Sequence, residues 1–365
     1  MYKTGCHQAF SIGNNIAIAK SFSPIWQKWY NIFMPSIKDV AQAAGVSTAT
    51  VSRVLANKSR VHAETRKRVS EAIERLNYRP NLIARSLRAQ KTAKIGLVVS
   101  DIRNPFFTAI SRAVEDAAYE QGYSVLLCNT DENPEKEKLY LNLLHDENVA
   151  GIIFSPTKKF GASLKSYKST IPFVAIDRYV ENKDMDMVLL DNVAAAYELT
   201  LHLIKNGYRS FAGLFGNAST TAPERRRGFQ MALEDNHLSP VAESIVEPRI
   251  KQGYEVTISW LAQDQKPDAI FTSNSLLTAG VFQAIRDSKL NVPNDVALVG
   301  FDETTWGALV DPPITIIAQP TEEIGRTATE LLFQRIAEPE RSQKTVILKG
   351  KLLQRGSSGP LTIET

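Results

Sequence analysis

Residues 36–57 read SIKDVAQAAGVSTATVSRVLAN and predict two short helices joined by a tight turn. Ser36 and Ser47 stand where each helix would begin, and serine is a preferred N-cap residue. Gly45 stands at the turn, and apolar residues recur at helical spacing on both sides of it. The predicted inward positions are Ile37, Val40, Ala41, Val51, Val54 and Leu55. This arrangement is typical of a helix-turn-helix, which places its second helix in the major groove of DNA.

The outward face of the second predicted helix carries short polar side chains and one arginine. Such groups suit the base edges and phosphates of a major groove. An unrelated pair of helices is the alternative for so short a pattern, and the residues that follow argue against it. The predicted DNA contacts here are Ser47, Thr48, Ala49, Thr50, Ser52 and Arg53.

The residues after the two helices extend the pattern. A third amphipathic helix is predicted over 63–77, although His62 stands where a serine or threonine cap is usual. The chain then reads LNYRPNLIARSL at 76–87 and KIGLVVSD at 94–101. Together with DVAQAAGVSTATVSRVL at 39–55, these motifs resemble, in order and spacing, the lactose-repressor/galactose-repressor family of bacterial transcription regulators. The resemblance covers residues 35 to about 356.

The resemblance implies a DNA-dependent hinge after the head. In that family the segment matching 81–87 forms a short helix on the operator, and a leucine from each subunit wedges into a base step from the minor groove, which unstacks it. An ordinary buried leucine is the alternative for Leu87, but its place in a polar linker beside Arg88 disfavours that role. The DNA contacts implied in the hinge are Asn81, Ala84, Arg85 and Leu87.

Charge is distributed unevenly along the chain, although the formal net charge is only +4. Residues 35–94 hold 13 Lys and Arg against 4 Asp and Glu, whereas residues 95–365 hold 27 against 35. A basic head on an acidic body is the charge layout of a DNA-binding protein with a separate sensing domain.

Composition excludes several other classes of protein. The two cysteines, Cys6 and Cys128, give no disulfide framework, and the five histidines form no metal-spaced pair. No run of 18 apolar residues predicts a membrane span. We therefore expect a reduced, cytoplasmic protein without a metal or cofactor. Residues 1–34 read as an extension, either disordered or a misassigned start, and they make a poor signal peptide.

From residue 94 onward, short apolar runs alternate with amphipathic helical stretches. Continuous apolar strands with helices between them predict parallel sheets that are covered on both faces. The predicted strands are 95–100, 125–130, 151–155, 173–177, 188–191, 211–215, 269–273, 296–302 and 315–318. So many strands suit two sheets rather than one. The resemblance implies a periplasmic-binding-protein-like arrangement of two lobes, with crossings near 190–192 and 319–321 and a ligand in the cleft.

An α/β fold alone leaves other functions open. A dinucleotide-dependent enzyme is one, but DIRNPFF follows the first strand at 101–107 in place of a glycine-rich fingerprint. A secreted sugar receptor is another, but it would need a signal peptide and would not carry a helix-turn-helix. We therefore predict a protein that is not an enzyme.

The resemblance also implies which residues contact an effector. They stand at the carboxyl ends of predicted strands or at the starts of helices, where open α/β sheets bind ligands. A structural salt bridge or a turn is the alternative role for each. The predicted effector contacts are Phe106, Phe107, Asp177, Arg178, Arg225, Asn274, Asp302 and Gln319.

The effector itself stays open at this level. Arg178, Arg225 and Arg249 favour an anionic ligand such as a sugar acid or phosphosugar. Pro248 stands where several relatives place an aromatic residue that stacks on a sugar ring. The alternative within gene regulation is a global catabolite-control protein, which uses a phosphorylated protein as co-repressor instead of a small sugar.

One head reads one half-site, so we predict a homodimer that binds a near-palindromic operator. We expect it to act as a repressor of carbohydrate-metabolism genes. The chain ends in QRGSSGPLTIET, without a leucine heptad for a tetramerising helix. The predicted organisation is an extension at 1–34, a helix-turn-helix domain at 35–80, a hinge at 81–93, an effector domain at 94–356 and a tail at 357–365.

Replacing Leu87 by alanine should weaken specific operator binding and reduce the bend in the DNA, because the side chain that unstacks the base step is removed. Fluorescence anisotropy on operator and random duplexes measures the first effect, and energy transfer between the duplex ends measures the second. A Leu87→Ala protein that bends the operator as the parent does would contradict the wedge.

Overall fold

The computed structural model describes residues 35–55, 61–78, 92–160, 171–181 and 185–361. Contacts divide the chain into two units, Met1–Gln90 and Lys91–Thr365, and each is described by itself. The extension at 1–34 lies outside the described residues. So do the hinge contacts implied by the resemblance, which are Asn81, Ala84, Arg85 and Leu87.

The described residues of the first unit form helices α1 (Ile37–Ala44), α2 (Thr48–Leu55) and α3 (Ala63–Arg75). A reciprocal capping box begins α1, since Asp39 N–H donates to Ser36 Oγ and Ser36 N–H donates to Asp39 Oδ2. Gly45 follows α1 with φ of 64°, a left-handed conformation that glycine adopts without a steric penalty. The predicted turn therefore forms where the glycine stands.

The starts of the next two helices differ. Ser47 begins α2 by accepting a hydrogen bond at its Oγ from Thr50 N–H, at 3.2 Å. His62 begins α3 without any side-chain capping bond. A missing cap costs about 1 kcal/mol of helix stability, so α3 depends more on its packing than α1 or α2 do.

A small apolar core holds the three helices together. Val40, Val51 and Val69, one from each helix, are fully buried. The predicted inward residues Ala41 and Val54 are buried as well. Helices of 8 residues, such as α1 and α2, are not stable alone in water, so this packing is what keeps them folded.

The second unit contains two six-stranded sheets flanked by helices. Its described strands are β1 (Lys94–Val99), β2 (Ser124–Asn129), β3 (Ile152–Phe154), β4 (Phe173–Ile176), β5 (Asp186–Leu190), β6 (Phe211–Gly216), β7 (Pro240–Val246), β8 (Ala269–Thr272), β9 (Ala297–Phe301), β10 (Thr315–Ala318), β11 (Thr345–Leu348) and β12 (Lys351–Leu353). Its described helices are α4 (Pro105–Glu120), α5 (Pro134–Asp146), α6 (Asn192–Lys205), α7 (Thr221–Glu234), α8 (Ile250–Leu261), α9 (Ser275–Asp287), α10 (Thr305–Leu309) and α11 (Thr321–Ala337).

The two sheets repeat one strand order. The first, in lobe 1, runs β11-β5-β4-β3-β1-β2, and the second, in lobe 2, runs β12-β10-β9-β8-β6-β7. Neighbouring strands in the described residues pair in parallel, apart from the antiparallel pair of β10 and β12. The predicted architecture, a three-helix head with two α/β lobes of parallel strands, is confirmed.

Three segments of the described chain carry it from one lobe to the other. The first joins β5 to α6 at residues 190–192, and the second joins β10 to α11 at residues 318–321. The third joins β11 to β12 through Lys349 and Gly350. The sequence pattern does not predict this crossing. Each lobe is therefore built from two separate stretches of the chain.

The core explains which strands the sequence predicts. Apolar clusters cover both faces of each sheet, so the central strands are continuous apolar runs. The strands that the sequence analysis misses are β7, β11 and β12, which pair along the rims and alternate half-buried with exposed residues. Because they lack a continuous apolar run, composition alone does not mark them as strands.

The predicted tail is part of lobe 2 as far as it is described. Ser357 and Ser358 are fully buried in a short 3₁₀ helix, Gly356–Ser358. Ser357 Oγ accepts from Thr315 N–H at 2.8 Å, and Gly359 carbonyl accepts from Tyr208 Oη at 2.7 Å. The domain boundary expected at 356 is thus too early, because these polar contacts close the lobe.

Replacing Asp186 by asparagine should lower the free energy of unfolding of the second unit by about 3 kcal/mol. Asp186 is fully buried and accepts from Arg335 Nη2 at 2.9 Å, from Arg341 and from Lys344 N–H at 2.8 Å. Without its charge, two poorly exposed guanidiniums lose their counter-ion. Urea unfolding followed by circular dichroism measures the change.

The matched control is Asp116→Asn, which breaks the exposed ion pair with Arg112. Exposed pairs contribute little, so this change should stay below about 0.5 kcal/mol. Equal effects of the two substitutions would contradict a structural role for the Asp186 cluster.

Candidate functional site: a helix face and an interlobe cleft

The predicted DNA-contacting face of the first unit lies on α2. Ser47, Thr48 and Ala49 at its start are exposed, and so are Ser52 and Arg53 one turn later. This exposed row stands opposite the buried valines of the same helix. A short helix with small polar groups and an exposed basic side chain fits the width of a major groove.

Thr50 differs from the rest of this row. It is half-buried, and its Oγ1 lies 3.0 Å from Ser47 Oγ. Its backbone N–H also donates to Ser47 Oγ. These two residues thus stabilise the start of α2 in addition to standing on the predicted DNA face.

The second unit holds a cleft of about 70 Å³ between its lobes. All the predicted effector residues line it, together with Asp101, Asn104, Glu132, Ser273 and further small residues. The strand ends explain this meeting, because in parallel sheets the carboxyl ends of neighbouring strands lie along one edge. The lining residues that follow a strand directly or within two residues are Asp101, Asp177, Arg178, Ala218, Pro248, Ser273, Asn274, Asp302 and Gln319.

Two of these strand ends turn sharply. Asp177 has φ of 67° and Asp302 has φ of 74°, and both follow a buried strand. Aspartate is among the few residues that tolerate the left-handed region. Each backbone N–H still donates to a neighbouring strand, Asp177 to Val188 at 3.1 Å and Asp302 to Ile317 at 3.0 Å. The chain therefore stays paired while it presents a carboxylate to the cleft.

Arg225, on α7, is buried, and only some of its N–H groups donate to acceptors in the described part of the chain. Its Nε donates to Asn192 Oδ1 at 2.8 Å, its Nη1 donates to Ser273 carbonyl at 2.6 Å, and its Cζ lies 4.1 Å from the centre of the Phe301 ring. Among the described residues, three of its five N–H groups have no protein acceptor. These donors remain for a ligand. Burial lowers the pKa of Arg225, against the opposing charges of Asp302 and Asp177.

Arg178, in lobe 1, donates most of its N–H groups to acceptors within the protein. Its Nη1 donates to Glu132 and to Pro156 carbonyl, both at 2.8 Å, its Nη2 donates to Glu132, and its Nε donates to Asp177 at 3.3 Å. Only one N–H is left without an acceptor in the described part of the chain. Burial alone lowers the pKa of Arg178, but the bonds and charges of Glu132 and Asp177 outweigh it and raise that pKa.

Gln319 and Asp302 form a pair at the rim of lobe 2. Gln319 Nε2 donates to Asp302 Oδ1 at 2.7 Å, and Ser275 N–H lies 3.4 Å from Asp302 Oδ2. Gln319 Oε1 is buried and has no hydrogen-bond partner among the described residues. A buried acceptor without a donor costs about 1–3 kcal/mol, so this oxygen is suited to a hydroxyl or amine of a ligand.

Two asparagines stand at helix starts of opposite lobes, and both line the cleft. Asn274 Oδ1 caps α9 through Leu277 N–H at 2.9 Å, and Asn104 Oδ1 caps α4 through Phe106 N–H at 3.1 Å. Ser275 Oγ of lobe 2 lies 3.4 Å from Asn104 Oδ1 of lobe 1. The capping bonds fix both carbonyl oxygens, which leaves the amide nitrogens as donors at the cleft.

The apolar wall of the cleft comes from lobe 1. Phe106 and Phe107 are buried in the first turn of α4, and their rings meet edge to face with centroids 5.0 Å apart. Pro248 lies opposite in lobe 2 and also lines the cleft. The cleft therefore has a small apolar side chain at position 248 and no aromatic ring there.

The expectation of an anionic ligand is not supported by this geometry. Arg249 pairs with Glu247 at 2.9 Å on an exposed surface and does not line the cleft. Arg178 is neutralised by two carboxylates. The cleft is lined by Asp101, Glu132, Asp177 and Asp302 against only two arginines, so it carries no surplus of positive charge.

The sequence pattern marks some of the lining residues and not others. Asp101 and Asn104 could have been found, because they follow β1 and begin α4 as the predicted residues do at other strands. Glu132 had no such signal, since its bond to Arg178 joins positions 46 apart in the chain. Within the described residues, no group of three His, Cys, Asp or Glu could hold a metal ion, and no helix is long and apolar enough to cross a membrane.

Comparison with known proteins places both units. Residues 36–81 match the family described as "Bacterial regulatory proteins, lacI family". Residues 92–355 match "Periplasmic binding proteins and sugar binding domain of LacI family". The two matches together cover the helix-turn-helix and both lobes.

Individual proteins similar to this chain agree with the two family matches. The repressor PurR of Histophilus somni strain 2336 is 36% identical over 332 residues, which are 89% of this chain and 99% of that protein. The ribose operon repressor of Halalkalibacterium halodurans is 38% identical over 304 residues, which are 83% of this chain and 91% of that protein. A crystal structure of the Lac repressor dimer bound to operator and the anti-inducer ONPF superposes with a TM-score of 0.82 at 26% identity, over 89% of this chain and 99% of that chain.

These relatives are transcriptional repressors and not enzymes, in agreement with the function class that the sequence predicts. Both domain matches lie in the same order as in such repressors, and more than two thirds of the chain aligns with them. The chain therefore belongs to the LacI family of bacterial regulatory proteins, as a DNA-binding transcriptional repressor of metabolic genes with a ligand-binding domain.

Proposed function

We propose that this repressor binds a near-palindromic operator as a homodimer in the cytoplasm and that a neutral monosaccharide in the interlobe cleft controls it. The observation that carries the proposal is the pairing of donors and acceptors around a cleft that has no surplus of positive charge. The genes under control would then serve the uptake or use of that sugar.

The cleft offers both hydrogen-bond donors and hydrogen-bond acceptors, which recognition of a hydroxyl group requires. A sugar hydroxyl is both donor and acceptor, and Asp302 and Gln319 Oε1 offer acceptors beside the donors of Arg225. The rings of Phe106 and Phe107 supply the apolar wall that the carbon face of a sugar requires. This combination suits a polyol better than a purely charged or a purely apolar ligand.

The size of the cleft favours a small molecule over a macromolecule. Its volume is about 70 Å³. A pentose is the first candidate, because one of the relatives is named a ribose operon repressor. The relatives named PurR make a purine the ligand class to test beside it.

A phosphorylated protein co-repressor is the weaker alternative. Such a partner would bind an outer surface and would leave the cleft groups without a role. The buried acceptor of Gln319 and the free donors of Arg225 therefore favour a small effector over a protein.

Edge strands on the same side of the two sheets support the homodimer. β2 and β7 occupy the same place in the strand order of their lobes, and both expose apolar side chains, namely Leu127, Val241 and Ile245. On α8, Ile250 and Ile258 add to this surface in lobe 2. Apolar groups spread over two lobes fit a second copy of the chain, and the superposed Lac repressor was crystallised as a dimer on its operator.

Replacing Arg53 by alanine should weaken operator binding by about 1–3 kcal/mol without altering ligand binding, because a basic side chain is lost from the face that meets the groove. Anisotropy on the operator at fixed salt measures the effect. The control Arg112→Ala removes one charge from an exposed helix of the second unit and should change operator affinity little. Normal operator affinity of Arg53→Ala would contradict the assignment of α2.

Replacing Arg225 by alanine should lower effector affinity by at least about tenfold while basal operator binding survives, because bonds to a charged donor are worth about 1.5–3 kcal/mol each. Thermal shift and calorimetry against pentoses, hexoses, sugar acids, phosphosugars and purines measure affinity, and anisotropy measures DNA release or retention. Arg227→Ala, exposed on the same helix, is the matched control. An unchanged response of Arg225→Ala at the same ligand concentration would make Arg225 a structural residue.

A further inference from the structure

We propose that Glu132 sets the charge specificity of the cleft: by occupying the guanidinium of Arg178 it makes the site accept neutral ligands and reject anionic ones. The inference rests on the proposed function in one respect, because it treats the interlobe cleft as the effector site. It assigns a specificity-determining role to a residue that the motifs do not mark.

The first support is the geometry of the pair. Both oxygens of Glu132 accept from the two terminal nitrogens of Arg178, in the side-by-side arrangement that guanidinium otherwise offers to a carboxylate or phosphate ligand. Pro156 carbonyl and Asp177 take two further N–H groups. The fork through which an arginine would grip an anion is therefore already filled from within the protein.

The second support is the way in which Glu132 is held. Its φ is 57°, a conformation that glutamate rarely adopts, and its N–H donates to Ser100 carbonyl at 3.2 Å. The next residue, Asn133, caps α5 through Glu135 N–H at 2.8 Å. A strained backbone fixed at both sides presents the carboxylate to Arg178, and such strain persists where the surrounding structure imposes it.

The third support is the charge around Arg178. Besides Glu132 and Asp177, the fully buried Glu137 interacts electrostatically with Arg178 and accepts from Thr157 N–H at 3.0 Å. Carboxylates therefore outnumber the arginine on this side of the cleft. A ligand anion would meet like charge in a poorly hydrated site, where charge interactions are stronger than in water.

Arg225 provides the contrast within the same cleft. Its partners are an amide oxygen and a backbone carbonyl, which are neutral, and most of its N–H groups have no acceptor in the described part of the chain. The two arginines therefore have separate roles: Arg225 keeps donors for a ligand, and Arg178 is held by carboxylates of the protein. The arginine count alone, which favours an anion, does not distinguish them.

The test compares neutral sugars with their acids on the full-length protein. D-ribose is measured beside D-ribonate, and D-glucose beside D-glucuronate, by thermal shift and calorimetry, with inorganic phosphate as a simple anion. Glu132→Gln keeps the size of the side chain and removes its charge, so the affinity ratio of acid to neutral sugar should rise about tenfold or more over the parent. Glu132→Ser, which removes both oxygens from Arg178, should change the ratio in the same direction.

The matched control is Glu135→Gln, exposed in the first turn of α5 and outside the cleft lining, which should leave the ratio unchanged. An unchanged ratio in both Glu132 variants would overturn the inference, and so would a parent protein that binds the acids as tightly as the neutral sugars. If the parent binds no sugar at all, the proposed effector class fails. In that case the thermal shift with inorganic phosphate tests the inference. Phosphate should stabilise the Glu132 variants against unfolding more than it stabilises the parent protein.

Discussion

The carboxyl ends of two parallel sheets meet along one cleft, and the position of each ligand-facing group follows from that constraint. A parallel strand ends at the same edge as its neighbours, so residues far apart in the sequence reach one site. Asp177, Asn274 and Asp302 meet for this reason and not because of any local motif. Arg225 comes from within a helix, as Phe106 and Phe107 do, and it reaches the cleft because α7 begins beside the end of β6.

The chemistry of the cleft depends on how its charges are paired and not on how many there are. Two arginines and four carboxylates line it, yet the only cation with several free donors is Arg225, among the residues that the structure describes. Burial makes each unpaired group expensive, which explains why Arg178 is surrounded by carboxylates and why Gln319 Oε1 is conspicuous. A hydroxyl group of a ligand can accept from Arg225 and donate to Gln319 Oε1, and it brings no charge into the cleft.

Much of this could be predicted from sequence, for identifiable physical reasons. The helix-turn-helix follows from caps and spacing within 20 residues of Ser36, and the central strands follow from apolar runs that are buried on both faces. The edge strand β7 could not be found in this way, since its exposure alternates. The cleft residues came from the family resemblance, but the role of Arg178 did not, because a side chain's charge is visible in the sequence and its partner across the fold is not.

The three crossings between the lobes also constrain the order in which the protein can be built. Lobe 1 needs β11 and α11 to complete its sheet and its apolar face, and lobe 2 needs β12 and the buried serines at 357 and 358. Both sets come from the end of the chain. During synthesis, neither lobe can close its core until translation is nearly complete, although the head at 35–78 can already fold. A ribosome that stops early would therefore release a protein able to form its DNA-reading helices but unable to sense a ligand.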